Sequence, residues 1–308
     1  MKFGLSTRWN CRRHTDGEAL ADEIAAWGFP QIELSYDLRA DLLPGIRRAV
    51  AAGRIAAVSV HNFCPVPSFA PRGSPEFFLP AGEDETARRR AVADTLKTVA
   101  TAAEVGAGFV VVHSGYARMR NRSRPLLRRL AAGRGDGWWA RRLRAGLDRA
   151  RDRRAPAALD AFRRSLDAWL PELEKRRVAL AFENLPAGES VPNEAELWHL
   201  LRRYNTPWLR HWHDFGHGRI RENLGLVNDR AWVERLAEFT AGFHIHDAAY
   251  PDRDHLPPGQ GDVDFAAFAS FVRDPALRIF EPEPGLPAAE LVAARERLEK
   301  LWSATKNG

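Results

Sequence analysis

Cysteine is scarce: Cys11 and Cys64 are the only two in 308 residues, too few for a disulfide framework. Long apolar runs are missing. No stretch approaches the roughly 20 apolar residues that a membrane span requires. The opening MKFGLSTRWN has no apolar core behind its lysine, so it does not read as a signal peptide. No segment has the composition of a linker that would divide the chain. These absences point to a soluble, cytoplasmic protein folded as one domain, residues 1–308, with no membrane partner. Hydrophobic residues make up 45% of the sequence, which excludes a disordered chain and supplies a sizeable core.

The charge is unevenly spread. The chain carries a net +6, but residues 118 to 154 hold fourteen arginines, no lysine and three aspartates. Fourteen against three is +11, so the remainder of the chain is at −5. A segment this basic could attract nucleic acid or phosphorylated ligands. The plainer reading, and the one expected here, is a solvated helical insert or a subunit contact in a homo-oligomer. Trp138 and Trp139 lie in its middle and allow either a stacking surface or such a contact.

Short β-rich runs alternate with longer helical patterns. The strand candidates are Phe3–Ser6, Ile32–Leu34, Ile55–Val60, Phe109–Val112, Val178–Phe182, Trp208–His213, Phe243–Ile245 and Leu277–Phe280. Amphipathic stretches lie between them, among them Gly17–Trp27, Asp84–Val105, Leu159–Lys175, Glu194–Arg203 and Asp229–Phe239, and Ala288–Trp302 follows the last. Eight such alternations imply parallel pairing through crossovers and an α/β fold, a closed (β/α)8 TIM barrel. Two excursions break the rhythm. Residues 62 to 82 form a loop with five prolines, expected as a shaped wall over the barrel mouth. The basic segment, about 117–158, is expected as a helical insert after the fourth strand.

Active sites of such barrels are built where the strands end. Here the strand ends deliver His61, His113, Glu183, Asp214, the pair His244 and His246, and Glu281, with His217 three residues beyond Asp214. Strand alternation sharpens the set. In VALAFE, Ala179, Ala181 and Glu183 share the crowded inner face, and Val178, Leu180 and Phe182 face the helices. The same parity groups Ala57, Ser59 and His61, and it groups Leu277, Ile279 and Glu281. In HWHDFGHG it sends His211 and His213 outward and leaves Trp212 beside Asp214, unless a bulge intervenes. Carboxylates and imidazoles converging on one mouth need a cation or partners. Two glutamates, an aspartate and a histidine make a mostly oxygen site, suited to one Mn2+, Mg2+ or Co2+, with Zn2+ an option if more histidines bind. Cys64, three residues after His61, is weak support for zinc on its own.

The ordered set VHNF, VVVHSG, FEN, DFGH, FHIHD, HLPPGQGDVDF and FEP resembles the xylose-isomerase-like barrels over nearly the whole chain. That group includes sugar-phosphate isomerases and epimerases, inosose dehydratases, ketose 3-epimerases and endonuclease-IV-type repair enzymes. The resemblance implies a metal held by Glu183, Asp214, His244 and Glu281. His246 is then a neighbour of the metal or substrate, although some ketose epimerases use the second histidine of an HxH pair. His217 matches a histidine that touches substrate in the sugar enzymes and binds a further metal in the endonucleases.

The expected activity is a metal-dependent isomerase or epimerase acting on a sugar, sugar phosphate or related polyol ketone by enediolate proton transfer. Glu183 and Glu281 would be the acid/base pair. His61, His113, His217, His246, Arg253 and His255 would bind substrate. The alternatives are a dehydratase of the same group, an abasic-site endonuclease and a non-catalytic sugar-binding barrel. In the endonucleases an Asp-x-His pair precedes the GQG segment. Here His255 fills the histidine position and Arg253 stands where the aspartate belongs, so a small carbohydrate is expected as the partner rather than nucleic acid.

Overall fold

The computed structural model describes residues 1–135 and 137–304. Eight parallel strands close a barrel: β1 (Gly4–Ser6), β2 (Gln31–Leu34), β3 (Ala56–His61), β4 (Phe109–Val112), β5 (Ala179–Glu183), β6 (Leu209–Asp214), β7 (Thr240–Ile245) and, after an antiparallel hairpin of β8 (Asp247–Ala249) and β9 (Arg253–Leu256), β10 (Leu277–Phe280). Each strand pairs with its sequence neighbour, β7 pairs with β10, and β10 returns to β1. The helices are α1 (Gly17–Ala26), α2 (Leu43–Ala51), α3 (Glu85–Val105), α4 (Ser123–Ala131), α5 (Trp138–Arg176), α6 (Glu194–Tyr204), α7 (Phe215–Asn223), α8 (Asp229–Leu236) and α9 (Ala288–Ala304). The (β/α)8 architecture is the one that the alternation of patterns implies. None of the described helices is long and apolar enough to cross a membrane.

Alternation along the strands separates two apolar layers. Leu180, Phe182, Phe243, Ile245 and Phe280 face the helices and join the main core. Val111, Ala181, Trp212 and Ile279 form a small separate cluster inside the barrel. Trp212 is fully buried there, worth about 1.5–3 kcal/mol for a large apolar side chain. One expected parity fails. The register between β2 and β3 shifts at Ile32/Glu33, so Ala57 packs with the outer core and Val58 against the inner cluster. Ser59 and His61 still point inward.

Several elements depart from the sequence expectation. Three strands run one residue further and end on His61, Glu183 and Asp214. The main chain of each polar residue completes a ladder that the apolar pattern alone does not reveal. α5 does not begin at Leu159: it is one continuous helix of 39 residues, because alanine and arginine are strong helix formers. The basic insert is therefore α4 plus the first half of α5. α4 packs its buried Leu126 and Leu130 with Ile220 of α7 and with Leu224 just after it.

Candidate metal and active site

The mouth is assembled from strand ends. Glu183, Asp214, His244 and Glu281 each offer a ligand atom, and these atoms all lie within 4.8 Å of one another. All four side chains are buried. Asp214 ends β6 and also caps α7, its Oδ1 accepting the His217 N–H at 2.7 Å. Its main-chain N–H and C=O are held by the Asn184 amide at 2.7 and 2.9 Å. The FEN and DFGH motifs thus lock two adjacent strand ends together.

His244 is the centre of the arrangement. Its Nδ1 is buried and has no hydrogen-bond partner. Three carboxylate oxygens surround that atom, Glu281 Oε2 at 3.4 Å, Glu183 Oε1 at 3.6 Å and Asp214 Oδ2 at 3.8 Å. Its Nε2 is engaged by both oxygens of Glu33 at 3.2 Å. Glu33 is fully buried and accepts the Ser59 hydroxyl at 2.9 Å. A histidine fixed on one nitrogen by a carboxylate, with the other aimed at a carboxylate cluster, is the usual setting of a metal-ligating imidazole. An isolated buried nitrogen of this kind is costly unless a cation or proton satisfies it. The donor set fits a hard divalent ion.

His246 holds Asp214 from the next inward position, its Nε2 lying 2.8 Å from Oδ2. Its Nδ1 accepts the main-chain N–H of His255 at 3.0 Å, which leaves the Nε2–H to donate to Asp214. His61 and His113 reach Glu183 Oε2 with their Nε2 atoms, each at 3.2 Å. His217 reaches Glu183 Oε1 with its Nδ1 at 3.1 Å. His61, His113 and Glu183 form a second group whose ligand atoms could share a metal ion, and so do His217, His246 and His255.

Electrostatics follow from this packing. Burial alone would raise Glu183, but His113 and His244 hold its carboxyl well below the ordinary range. Burial likewise opposes ionisation of Asp214, and His217 and His246 outweigh it. His113 and His217 would be lowered by burial. Glu183 and Glu76 instead push His113 up to about 9, and Asp214 and Glu183 push His217 up to about 10. Each buried carboxylate of the site lies beside at least one imidazole.

Arg253 is not brought to the cluster; it lies exposed on β9. His255, two residues on, is drawn in. Its Nδ1 lies 2.9 Å from the Glu281 carbonyl, and the Arg8 guanidinium lies 3.1 Å from both ring nitrogens. Burial, then His246 and Arg8, keep His255 well below its ordinary value. His211 and His213 do point outward, to Thr240 at 2.9 Å and to Asp229 at 3.2 Å. Trp212 stays inside, 5.3 Å from the His244 ring, even though the register shifts beside it. Cys64 is buried in the apolar core, with its main-chain N–H bonded to Thr98, and takes no part. Trp138 and Trp139 are exposed at the start of α5.

Several residues of the site escaped sequence reasoning. Glu33 sits between Ile32 and Leu34 in mid-strand, and that lone carboxylate was its signal. Glu76, from the proline-rich loop, accepts from Tyr116 at 2.5 Å and lies 3.1 Å from His113, so the loop is tied to the mouth. Asp247 receives four main-chain N–H groups, from Ala248, Gly259, Gly261 and Val263. This explains the PGQGDV stretch: it wraps the carboxylate next to His246. A side chain at Gly261 would collide with Asp247 and the Ala248 main chain. One at Gly216 would strike the His246 ring.

A family model described as "xylose isomerase-like TIM barrel" matches residues 21–301. Among solved structures, a D-tagatose 3-epimerase-like protein is 18% identical with a TM-score of 0.70, covering 99% of this chain and 98% of that one. The 3-keto-D-glucoside 4-epimerase of E. coli is 16% identical with a TM-score of 0.68, covering 97% and 99%. An IolI protein solved with a zinc atom is 13% identical with a TM-score of 0.64, covering 99% of each. At these identities the likeness is one of fold. The sequence matches no curated protein.

Proposed function

The chain belongs to the xylose isomerase-like TIM barrel family, and on that premise we propose that it is a divalent-metal-dependent isomerase or epimerase of a sugar, sugar phosphate or related polyol ketone. The observation that carries this reading is His244 Nδ1, buried without a hydrogen-bond partner and facing three carboxylates. Glu183, Asp214, His244 and Glu281 would hold one Mn2+, Mg2+ or Co2+, with Zn2+ also accommodated. When bound, the ion supplies Lewis-acid polarisation of a carbonyl and its neighbouring hydroxyl.

The chain's own groups do the rest. Glu183 ends β5 and Glu281 follows β10, so their carboxylates approach a substrate from different sides of the mouth. One takes the proton from the carbon next to the carbonyl and the other returns it. His61, His113 and His217 hold both oxygens of Glu183. His246 holds Asp214 in register. Arg8 and His255 close the side next to Glu281. Expulsion of a hydroxyl by the same acid would make the reaction a dehydration, so a lyase uses the same groups. The proline-rich loop, anchored through Glu76, excludes water.

The test is loading with single divalent metals followed by a ketose panel in D2O. A metal-dependent exchange of one carbon-bound proton with interconversion of epimers or isomers is the expected result. No stoichiometric metal under any loading condition would instead support a non-catalytic sugar-binding barrel. A second reading, an endonuclease of damaged DNA, draws on the His61, His113 and Glu183 group. It is opposed by Arg8, whose cation lies against His255 where a further metal would need a ligand. Specific nicking of an abasic duplex would reverse the ranking.

A further inference from the structure

The arginines of the insert contribute nothing to the barrel mouth, and part of their charge is unmatched by the fold. α5 is uneven in this respect, and in its N-terminal half Arg151 is paired with Glu196 at 2.7 Å whereas, among the described residues, its neighbours Arg153 and Arg154 are not. In the C-terminal half, Arg163 meets Asp160 at 2.5 Å, Arg176 meets Glu172 at 3.2 Å and Lys175 meets Glu172 at 3.6 Å. In the N-terminal half, Arg153 and Arg154 have only Arg149, Ala150, Arg151, Pro156, Ala157 and Ala158 one turn away in either direction. Asp152 is adjacent in sequence and therefore lies on a different face.

Across a groove from these two stand Arg118 and Arg120, in the segment between β4 and α4. The four arginines, with Met119 and Ala150, line a cleft of about 450 Å3. No carboxylate lines it, and none of the four arginines forms an ion pair among the described residues. Four like charges around one cleft repel, and a multiply charged anion would relieve them all at once. Guanidinium groups match phosphate oxygens through paired N–H donors. The volume is that of small-molecule sites, about 300–1,000 Å3. No aromatic ring lines the cleft, so nothing there stacks on a base. The Trp138–Trp139 pair begins the helix, about 22 Å away at 1.5 Å per residue.

We propose that this cleft is a second binding site, separate from the barrel mouth, for a compact oligophosphate: an inorganic or small organic anion with two or three linked phosphoryl groups. The proposal is independent of the reaction at the mouth, and its test needs no turnover. Titration calorimetry of the full chain with inorganic tripolyphosphate, at about 0.1 M salt, should show one saturable site. Arg153→Gln with Arg154→Gln should weaken it about tenfold or more, by loss of charge-assisted hydrogen bonds. Arg118→Gln with Arg120→Gln should do the same from the opposite wall. A control pair on α4 outside the cleft, Arg124→Gln with Arg128→Gln, should stay within about twofold, as diffuse surface charge is largely screened. All these residues are exposed, and circular dichroism melts verify that each variant is folded. The proposal is overturned by the absence of saturable binding, by an equal loss in the control pair, or by tighter binding of a short duplex DNA than of tripolyphosphate at the same salt.

Discussion

The barrel mouth and the basic insert handle charge in opposite ways. At the mouth, Glu33, Glu183, Asp214 and Glu281 are buried, and each has an imidazole within 4.0 Å. On the insert, Arg151 is buried and pairs with Glu196 at 2.7 Å, while Arg118, Arg120, Arg153 and Arg154 stand exposed without a carboxylate. Burial is the cause of the difference. An unpaired charge inside a protein costs several kcal/mol, so the mouth tolerates only matched arrangements. An unpaired charge in water costs little, so folding leaves the insert's pattern free. The mouth can therefore be read from the fold's own requirements, whereas the fold leaves the insert's charge free to serve something outside it.

The severest way to break this contrast is at Glu183. Glu183→Gln keeps the shape and removes the charge that four imidazoles, those of His61, His113, His217 and His244, are arranged around. Turnover on whichever ketose the panel identifies should fall about 10²- to 10⁴-fold, the usual worth of a positioned acid or base. Full turnover in this variant would remove Glu183 from the acid/base role. Glu33 sharpens the contrast one step further out. Glu33→Gln leaves the four donors in place but weakens the hold on His244 Nε2. Metal affinity, measured by competition with a chromogenic chelator, should drop about 10- to 100-fold. Unchanged affinity would reduce Glu33 to a structural partner of Ser59.

Glu33 also marks the limit of what the sequence disclosed. Strand ends were legible because polar residues there interrupt an apolar rhythm, and this led to Glu183, Asp214, His244 and Glu281, whose side chains the fold does bring together. Outward placement of His211 and His213 was legible from parity alone. Glu33 lies in mid-strand, away from the strand ends where such barrels build their sites. Glu76 and Arg8 reach the mouth through long-range contacts that no local period encodes. The hairpin of β8 and β9 was hidden by its short strands, and α7 by the two glycines of FGHG. Gly216 is required there because the His246 ring passes against it. The one broken parity, at Ala57, came from a register shift that depends on β2 as well as β3.

The loop behind His246 gives a smaller effect. Asp247 is held by four main-chain donors, and Gly261 has no room for a methyl group. Gly261→Ala should destabilise the protein by about 1–3 kcal/mol, the usual range for overpacking. A lowered urea midpoint with an unchanged slope would show it. A neutral result would mean that the 258–263 turn shifts freely and does not position His246.

The smallest effect has the opposite sign. At the mouth, changing any buried charge should destabilise; on α5, reversing one should stabilise. Arg149 lies four residues before Arg153 and three before Asp152, so Arg149→Glu, made in an Asp152→Asn background to avoid a new like-charge contact, replaces a like-charge pair with a Glu-to-Arg pair in the favourable orientation. The expected gain is about 0.3–0.5 kcal/mol at low salt, typical of exposed helical pairs. The gain should shrink as salt rises towards 1 M, where the screening length is about 3 Å. Urea unfolding at two salt concentrations measures both quantities. The same variant should weaken tripolyphosphate binding, since it ties Arg153 to an internal carboxylate. Loss of stability would mean that Arg149 has a partner important to the fold, and the insert's charge would then belong with that of the mouth.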